Sequence, residues 1–173
     1  RQDTIPHVFG KDRRSLIERK IGRLFRGTTY THAVAQGRET EGRRDDRLLL
    51  TALLNPALVQ PWVDVLARHK VPLAGICSLP LLSANLLKRL GVKDDNVLLV
   101  TLQSASGLRQ SFFRGGELRV SRLARMPRLG TVPFAEHVVG ELDKLRRYLN
   151  SLRVMARESP LDIYILSQGE PLE

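Results

Sequence analysis

Short apolar runs and alternating apolar and polar positions, separated by small and polar turn residues, occur in "NVLLVTLQSASGLRQSFFRGGELRVSRL", residues 96–123, and predict three β-strands joined by two tight turns. The first turn, "QSASG", contains Ser104, Ser106 and Gly107, which could contact a phosphate. Such residues are equally typical of ordinary turns, so this pattern is only a weak indication of a phosphate site.

The second turn, "RGGE", predicts a strand register that brings two arginines together. A Gly-Gly pair favours the two-residue turn that matches strand twist, and it pairs Arg114 with Glu117. Counting back from this pair puts Arg109 opposite Arg122. Because opposed like charges repel, we expect an anion or an acidic residue of a partner between them. The alternative is that both guanidinium groups reach into water or pair with carboxylates of this chain.

A basic amphipathic helix is predicted at residues 12–26, with Asp12 as its cap and Gly27 as its stop. Apolar residues recur at spacings of three and four, and arginines lie off this stripe. The candidates for binding an acidic partner are Arg13, Arg14, Arg19 and Arg23. A merely solvated basic face is the alternative.

The remaining pattern mixes strands with helices. A hairpin is predicted from "TTYTHAVAQ" and "RLLLTALLN", a helix over residues 56–70, and a short buried strand at "VPLAGICS". A helix follows Ser78 and ends at Gly91. An apolar stripe from Phe134 to Ala156 predicts a helix of five or six turns, and "LDIYILS" predicts a final strand.

The composition restricts the kinds of partner that this chain is expected to bind but does not identify one. The 173 residues carry a net charge of +10, and residues 1–47 (12 Lys/Arg, 7 Asp/Glu) and 108–128 (6 and 1) account for it. This excess favours nucleic acid, anionic lipid or an acidic protein as partner. The single cysteine, Cys77, excludes an internal disulfide and is expected to be a buried thiol. The longest uncharged run, residues 71–87, is interrupted by prolines and too short to span a membrane.

The order of these elements resembles the middle of an actin-like fold. The segments that carry the resemblance are "RLLLTAL", "VPLAGICSLP", the three-strand stretch, "ELDKLRRYLNSL" and "DIYILSQGE". The family most similar is that of the cytoplasmic actin-like proteins of type IV pilus and type II secretion assembly. The resemblance implies an α/β, actin-like (ribonuclease H-like) mixed sheet with a three-stranded antiparallel hairpin unit flanked by helices. It implies an N-terminal α/β lobe at residues 1–95 and a ribonuclease H-like lobe at residues 96–173.

The chain departs from this family at the positions that serve the nucleotide. The family's metal-serving Asp and Gly correspond here to Thr101 and Gln103, and a later Ser-Gly-Gly turn matches only at Ser167 and Gly169. Thr101 has no charge to hold a cation through water, and a glutamine side chain obstructs close backbone approach. We therefore expect no cofactor and no enzymatic activity.

The resemblance implies a non-catalytic scaffold in bacterial pilus or secretion-system assembly that binds an acidic protein partner. It also implies a cytoplasmic location, with any tether to the inner membrane supplied by partners or by segments outside this chain. The chain starts at Arg1, without an initiator methionine, so we interpret it as a piece of a longer protein. Two alternatives stay open: a nucleic-acid-binding domain that uses the basic helix and the arginine-rich hairpin, and an active ATP-binding actin-like protein. Scattered histidines give no metal-ligand spacing.

Overall fold

The computed structural model of the chain describes residues 1–103, 107–126 and 133–166. The chain divides into two compact units, Arg1–Gly75 and Ile76–Glu173. This division falls earlier than the predicted lobe boundary between residues 95 and 96, which stays a prediction.

The first unit contains a three-stranded antiparallel sheet with the order β1-β3-β2. Its elements are β1 (Gln2–Ile5), α1 (Gly10–Leu24), β2 (Thr31–Arg38), β3 (Asp46–Ala52), a 3-10 turn (Pro56–Leu58) and α2 (Gln60–Arg68). The hairpin of β2 and β3 is confirmed. Strand β1 was not predicted, because four residues are too few for a periodic pattern. The apolar stripe of α1 packs on Ile5, Leu48 and Leu50.

Helix α1 begins two residues before the predicted cap. Phe9 precedes it in an extended conformation, and Gly10 is its first residue. The prediction that Asp12 caps the helix is therefore wrong; Asp12 lies in the first turn, where a negative charge favours the helix dipole.

The predicted helix at residues 56–70 is broken into the 3-10 turn and α2. Pro61 lies in the first turn of α2, and proline at that place can begin a helix but cannot continue one from before it. The predicted buried strand at residues 71–78 is also wrong, because this described segment is irregular and exposed. Cys77 within it is exposed, which corrects the expectation of a buried thiol.

The second unit contains a mixed sheet with the order β6-β5-β4-β7. Its elements are α3 (Leu79–Arg89), β4 (Asn96–Gln103), β5 (Gly107–Arg114), β6 (Glu117–Ala124), α4 (Phe134–Ser151) and β7 (Asp162–Leu166). Strands β4, β5 and β6 are the predicted antiparallel unit, and β7 joins β4 in parallel. The predicted α/β mixed sheet is confirmed.

Helix α4 covers one face of this sheet through its apolar stripe. Val138, Leu145 and Leu149 pack with Leu98 and Phe112 in one buried cluster. The helix ends at Ser151, so its predicted extension to residue 156 is wrong. Among the described residues, no helix combines the length and the apolar character needed to cross a bilayer.

The end of α4 is set by a left-handed residue that is not glycine. Arg153 has a φ of 54°, its amide donates to the Asn150 carbonyl at 3.0 Å, and the Val154 amide donates to the Leu149 carbonyl at 3.2 Å. This is the Schellman pattern of helix termination, in which the left-handed position is usually glycine.

The turn between β5 and β6 has the predicted geometry, but a bulge follows it. Gly115 and Gly116 both have positive φ (57° and 75°), and Arg114 pairs with Glu117. Between Phe112 and Phe113 the register shifts, so that Arg119 is an extra residue in β6. A bulge reverses the face of every residue beyond it.

The bulge overturns the predicted opposition of the two arginines. Arg122 pairs with Gln110, and Arg109 pairs with Leu123. Successive residues of a strand face opposite sides, so Arg109 and Arg122 lie on opposite faces of the sheet. The predicted anion between them is excluded by this geometry.

We expect Gly107→Ala to destabilise the second unit by about 3 kcal/mol. Gly107 has a φ of 113°, and a Cβ there would overlap the carbonyl oxygen of Ala124. Gly140→Ala is the matched control, because Gly140 lies within α4 and its added Cβ meets no described atom within 4 Å. Urea unfolding should show a loss for the first variant and a gain of up to about 1 kcal/mol for the second. Equal effects would contradict the close approach.

Candidate functional site

The candidate site lies at the carboxyl end of β4, where Thr101 and Arg109 are directly paired across the β4–β5 ladder. Directly opposed residues of an antiparallel pair share one face of the sheet. The Thr101 hydroxyl oxygen and the Arg109 Nε are both buried, and neither has a hydrogen-bond partner among the described residues. The arrangement thus combines one hydroxyl with one permanent cation.

The other predicted nucleotide positions add no described side chain to this site. Gln103 is the last residue of β4, and its side chain lies outside the described part of the chain. Ser167 and Gly169 fall outside the described residues, as do Ser104 and Ser106. Within residues 1–103, 107–126 and 133–166, no group of His, Cys, Asp and Glu side chains could hold a metal ion.

Arg122 belongs to an internal polar cluster on the α4 side of the sheet. Its Nε donates to Gln110 Oε1 at 2.6 Å, and its Nη2 donates to Glu141 Oε2 at 2.7 Å. Lys144 Nζ donates to the other oxygen of Glu141 at 2.7 Å. The hydrogen bond from Lys144, opposed by burial and aided by the charge of Arg122, lowers the pKa of Glu141 below its ordinary value. Arg122 thus pairs with a carboxylate of its own chain, the alternative considered above.

The four arginines predicted on α1 do not act as one surface. Arg13 donates its Nε to Asp46 Oδ2 at 3.2 Å and is part of the first unit's own packing. Arg14, Arg19 and Arg23 are exposed. Arg19 and Arg23, four residues apart, share one side of the helix, whereas Arg14 lies on another. These three exposed residues are called the α1 arginine group below.

Asp46 connects four separate segments of the first unit. The buried carboxylate contacts His7 Nδ1 at 2.8 Å, Arg13 Nε at 3.2 Å and Arg38 Nε at 3.4 Å. Burial alone would raise the pKa of Asp46, but the hydrogen bonds and charges of His7 and Arg13 outweigh burial and lower it. The carboxylate therefore stays ionised and holds the α1 and β2 arginines against β3.

Sequence analysis missed a second group of arginines in the second unit. A cavity of about 770 Å³, called the arginine pocket below, is lined by Asp95, Asn96, Arg114, Arg147, Asn150, Ser151, Arg153, Met155, Ala156, Arg157 and Ser159. Residues 146–157 contain 4 arginines and no acidic residue, which was the available signal. This signal was overlooked because charges were counted over longer segments, in which acidic residues offset these arginines.

The class of protein follows from the second unit. A sheet of order β6-β5-β4-β7, with an antiparallel three-strand unit, a parallel β7 and the flanking helices α3 and α4, is an α/β domain of the actin-like fold.

A solved structure of a "PilM-PilN type IV pilus biogenesis complex" has a similar fold, with a TM-score of 0.61 and 15% sequence identity. The match covers 98% of this chain and 59% of that chain, so this chain spans less than two thirds of its structural neighbour.

A second similar structure is a Bacteroides thetaiotaomicron protein described as having an actin-like ATPase fold and unknown function. It matches at a TM-score of 0.39 and 8% identity, over 95% of this chain and 55% of that one. At this TM-score the likeness carries no weight for the fold. No protein-family model matches the chain, and no curated protein matches it.

We expect Asp46→Asn to destabilise the first unit by about 2 kcal/mol at pH 7, because it leaves Arg13 and Arg38 beside a neutral amide. The pKa of Asp46 is lowered by folding, so its contribution is complete above the ordinary carboxyl pKa and is lost as pH falls through the folded value. Urea unfolding followed by circular dichroism at pH 7 and at about pH 3 measures both effects.

Asp45→Asn is the matched control for this variant. Asp45 is the preceding residue, and its contact with the exposed Arg43 is longer, at 3.7 Å. Its removal should cost less than about 0.5 kcal/mol. A gap between wild type and Asp46→Asn that stays constant from pH 7 to pH 3 would contradict the ionic role of Asp46.

Proposed function

We propose that this chain is a non-catalytic, actin-like scaffold or interaction domain that acts in the cytoplasm in bacterial pilus or secretion-system assembly. The observation that carries the non-catalytic part is the pairing of Thr101 with Arg109 at the carboxyl end of β4. One fold can be shared by catalytic and non-catalytic proteins, so the non-catalytic assignment depends on the residues of this site.

The chemistry at this pair is opposite to what a metal-bound nucleotide needs. Magnesium is usually held by carboxylates, often through water, and the family that this chain resembles has an aspartate where Thr101 stands. A neutral hydroxyl replaces that carboxylate, and the residue paired with Thr101 on β5 is Arg109, whose Nε is buried. A permanent positive charge near a metal position opposes the binding of a divalent cation.

The proposed scaffold role has support from the neighbour of similar fold. That structure is named as a complex of two proteins, PilM and PilN. At 15% identity the likeness concerns the fold, so the pilus or secretion context is part of our proposal. An actin-like domain without a metal-bound nucleotide can still act through contact with a protein partner.

Two observations count against the nucleic-acid alternative. Phe112 and Phe113 are both fully buried, so neither provides an exposed ring on which a base could stack. Arg13 and Arg122 are engaged with carboxylates of the same chain. The α1 arginine group is the feature through which the chain would contact nucleic acid under this alternative, and its replacement tests it.

We expect Mg-ATP to show no saturable binding tighter than about 100 μM, equivalent to roughly 5 kcal/mol. Isothermal titration calorimetry with and without magnesium is the measurement. A site that holds ATP through a metal needs the ion, whereas loose attraction to exposed arginines does not. Magnesium-dependent binding tighter than this limit would restore the active ATP-binding alternative.

Replacement of Arg14, Arg19 and Arg23 with Gln, with Arg13 retained, should leave the thermal stability unchanged within about 2 °C, because these side chains are exposed. Fluorescence anisotropy should show that the wild-type chain binds duplex and single-stranded DNA no tighter than about 10 μM at physiological salt.

Arg13→Gln is the control, since it removes the same charge from the same helix but breaks the contact with Asp46. It should lower stability. Submicromolar DNA binding that is steeply salt-dependent and disappears in the triple variant would replace the scaffold proposal with the nucleic-acid function.

A further inference from the structure

We propose that the arginine pocket binds an acidic segment of a partner protein through at least two of the segment's carboxylate groups. The inference deepens the proposed scaffold function by naming the chemistry of the partner and the surface that receives it.

The arginine pocket gathers positive charge from three places in the second unit. Arg114 ends β5, Arg147 lies in the last two turns of α4, and Arg153 and Arg157 follow that helix. The lining contains four arginines and one acidic residue, Asp95, which is a formal surplus of three positive charges around about 770 Å³. Such a concentration of like charge attracts anions.

Two of these arginines are held in place by backbone carbonyls. Arg114 Nη1 donates to the Val154 carbonyl at 3.2 Å, and Arg147 Nε donates to the Asp143 carbonyl at 3.3 Å. A guanidinium carries five N–H donors, and these contacts with described residues use only part of them. Held guanidinium groups lose less side-chain entropy when they bind a carboxylate, for which their planar geometry is suited.

A peptide suits the pocket better than a small phosphate compound. The arginines of the pocket come from β5, from α4 and from the segment after α4. A peptide with several carboxylates can contact more than one of these guanidinium groups at once, whereas inorganic phosphate is a single compact anion.

The backbone of the pocket also lacks the features of a phosphate site. It lies at the carboxyl end of α4, where backbone carbonyls rather than N–H groups are left over by the helix, whereas phosphate sites commonly use the free N–H groups of a helix amino end. The amides of Arg153 and Val154 already donate to the Asn150 and Leu149 carbonyls in the helix cap. No aromatic ring is among the described lining residues to stack a nucleotide base.

The test uses the full chain and a fluorescein-labelled peptide of about six Asp and Glu residues, followed by fluorescence anisotropy. We expect saturable one-to-one binding tighter than about 100 μM that weakens as salt rises from about 0.05 to about 0.3 M. Arg153→Gly should weaken it about tenfold, because it removes one charge-assisted contact. The same change should keep or raise the melting temperature, since glycine is favoured at the left-handed position of Arg153.

Arg147→Gln is a second test variant and should also weaken binding. Arg89→Gln is the matched control, because Arg89 ends α3 in the same unit and is not part of the pocket lining. It should leave the peptide affinity unchanged within about twofold.

Three results would overturn the proposal: no saturable peptide binding, equal losses in Arg153→Gly and Arg89→Gln, or pyrophosphate binding that depends on Arg153 while the peptide does not bind. The last would assign the pocket to small phosphate compounds. Failure of the proposed scaffold function appears elsewhere, as magnesium-dependent ATP binding, which neither Arg153→Gly nor Arg147→Gln should change.

Discussion

The burial of β4 on both faces is the constraint on which the second unit depends. Residues 97–100 are each no more than 3% exposed, and the strand is hydrogen-bonded to β5 on one side and to β7 on the other. Such a strand needs apolar cover on each face and partners on each edge. Because β7 is parallel to β4, the chain must cross over the sheet before it returns, and α4 lies between the two strands in the chain. One buried strand thus accounts for the apolar stripe of α4 and for the sheet order.

Two internal clusters engage four of the 28 Lys and Arg residues whose excess suggests an acidic partner. Arg122 and Lys144 converge on Glu141, and Arg13 and Arg38 converge on Asp46. In each unit a mostly buried carboxylate joins a helix to the sheet. Arginines held in this way stabilise the fold and contribute little to binding. The net charge of +10 already subtracts the carboxylates that pair with them, so the surplus belongs to the other arginines and lysines.

The two ends of β4 differ in chemistry. At the carboxyl end, Thr101 and Arg109 form a small site with one hydroxyl and one cation. Near the amino end, Asn96 lies at the edge of the arginine pocket. The first arrangement is unsuited to a metal-bound nucleotide, and the second is suited to carboxylates. The proposed loss of nucleotide binding and the proposed peptide site therefore concern opposite ends of the same strand.

Local sequence was sufficient for the strands β4, β5 and β6, the Gly115-Gly116 turn and the start of α4, because these depend on periodicity and on the positive φ of glycine. Counting residues from the turn failed at Arg122, since the one extra residue in β6, Arg119, leaves no mark in the sequence pattern. Residues 71–78 read as a buried strand but are exposed, because apolar composition cannot say which neighbours a segment has. The arginine pocket likewise forms only when folding brings β5, the end of α4 and the following loop together. Tertiary contacts decide such features, because they join residues far apart in the chain, whereas sequence patterns report the shape of one segment at a time.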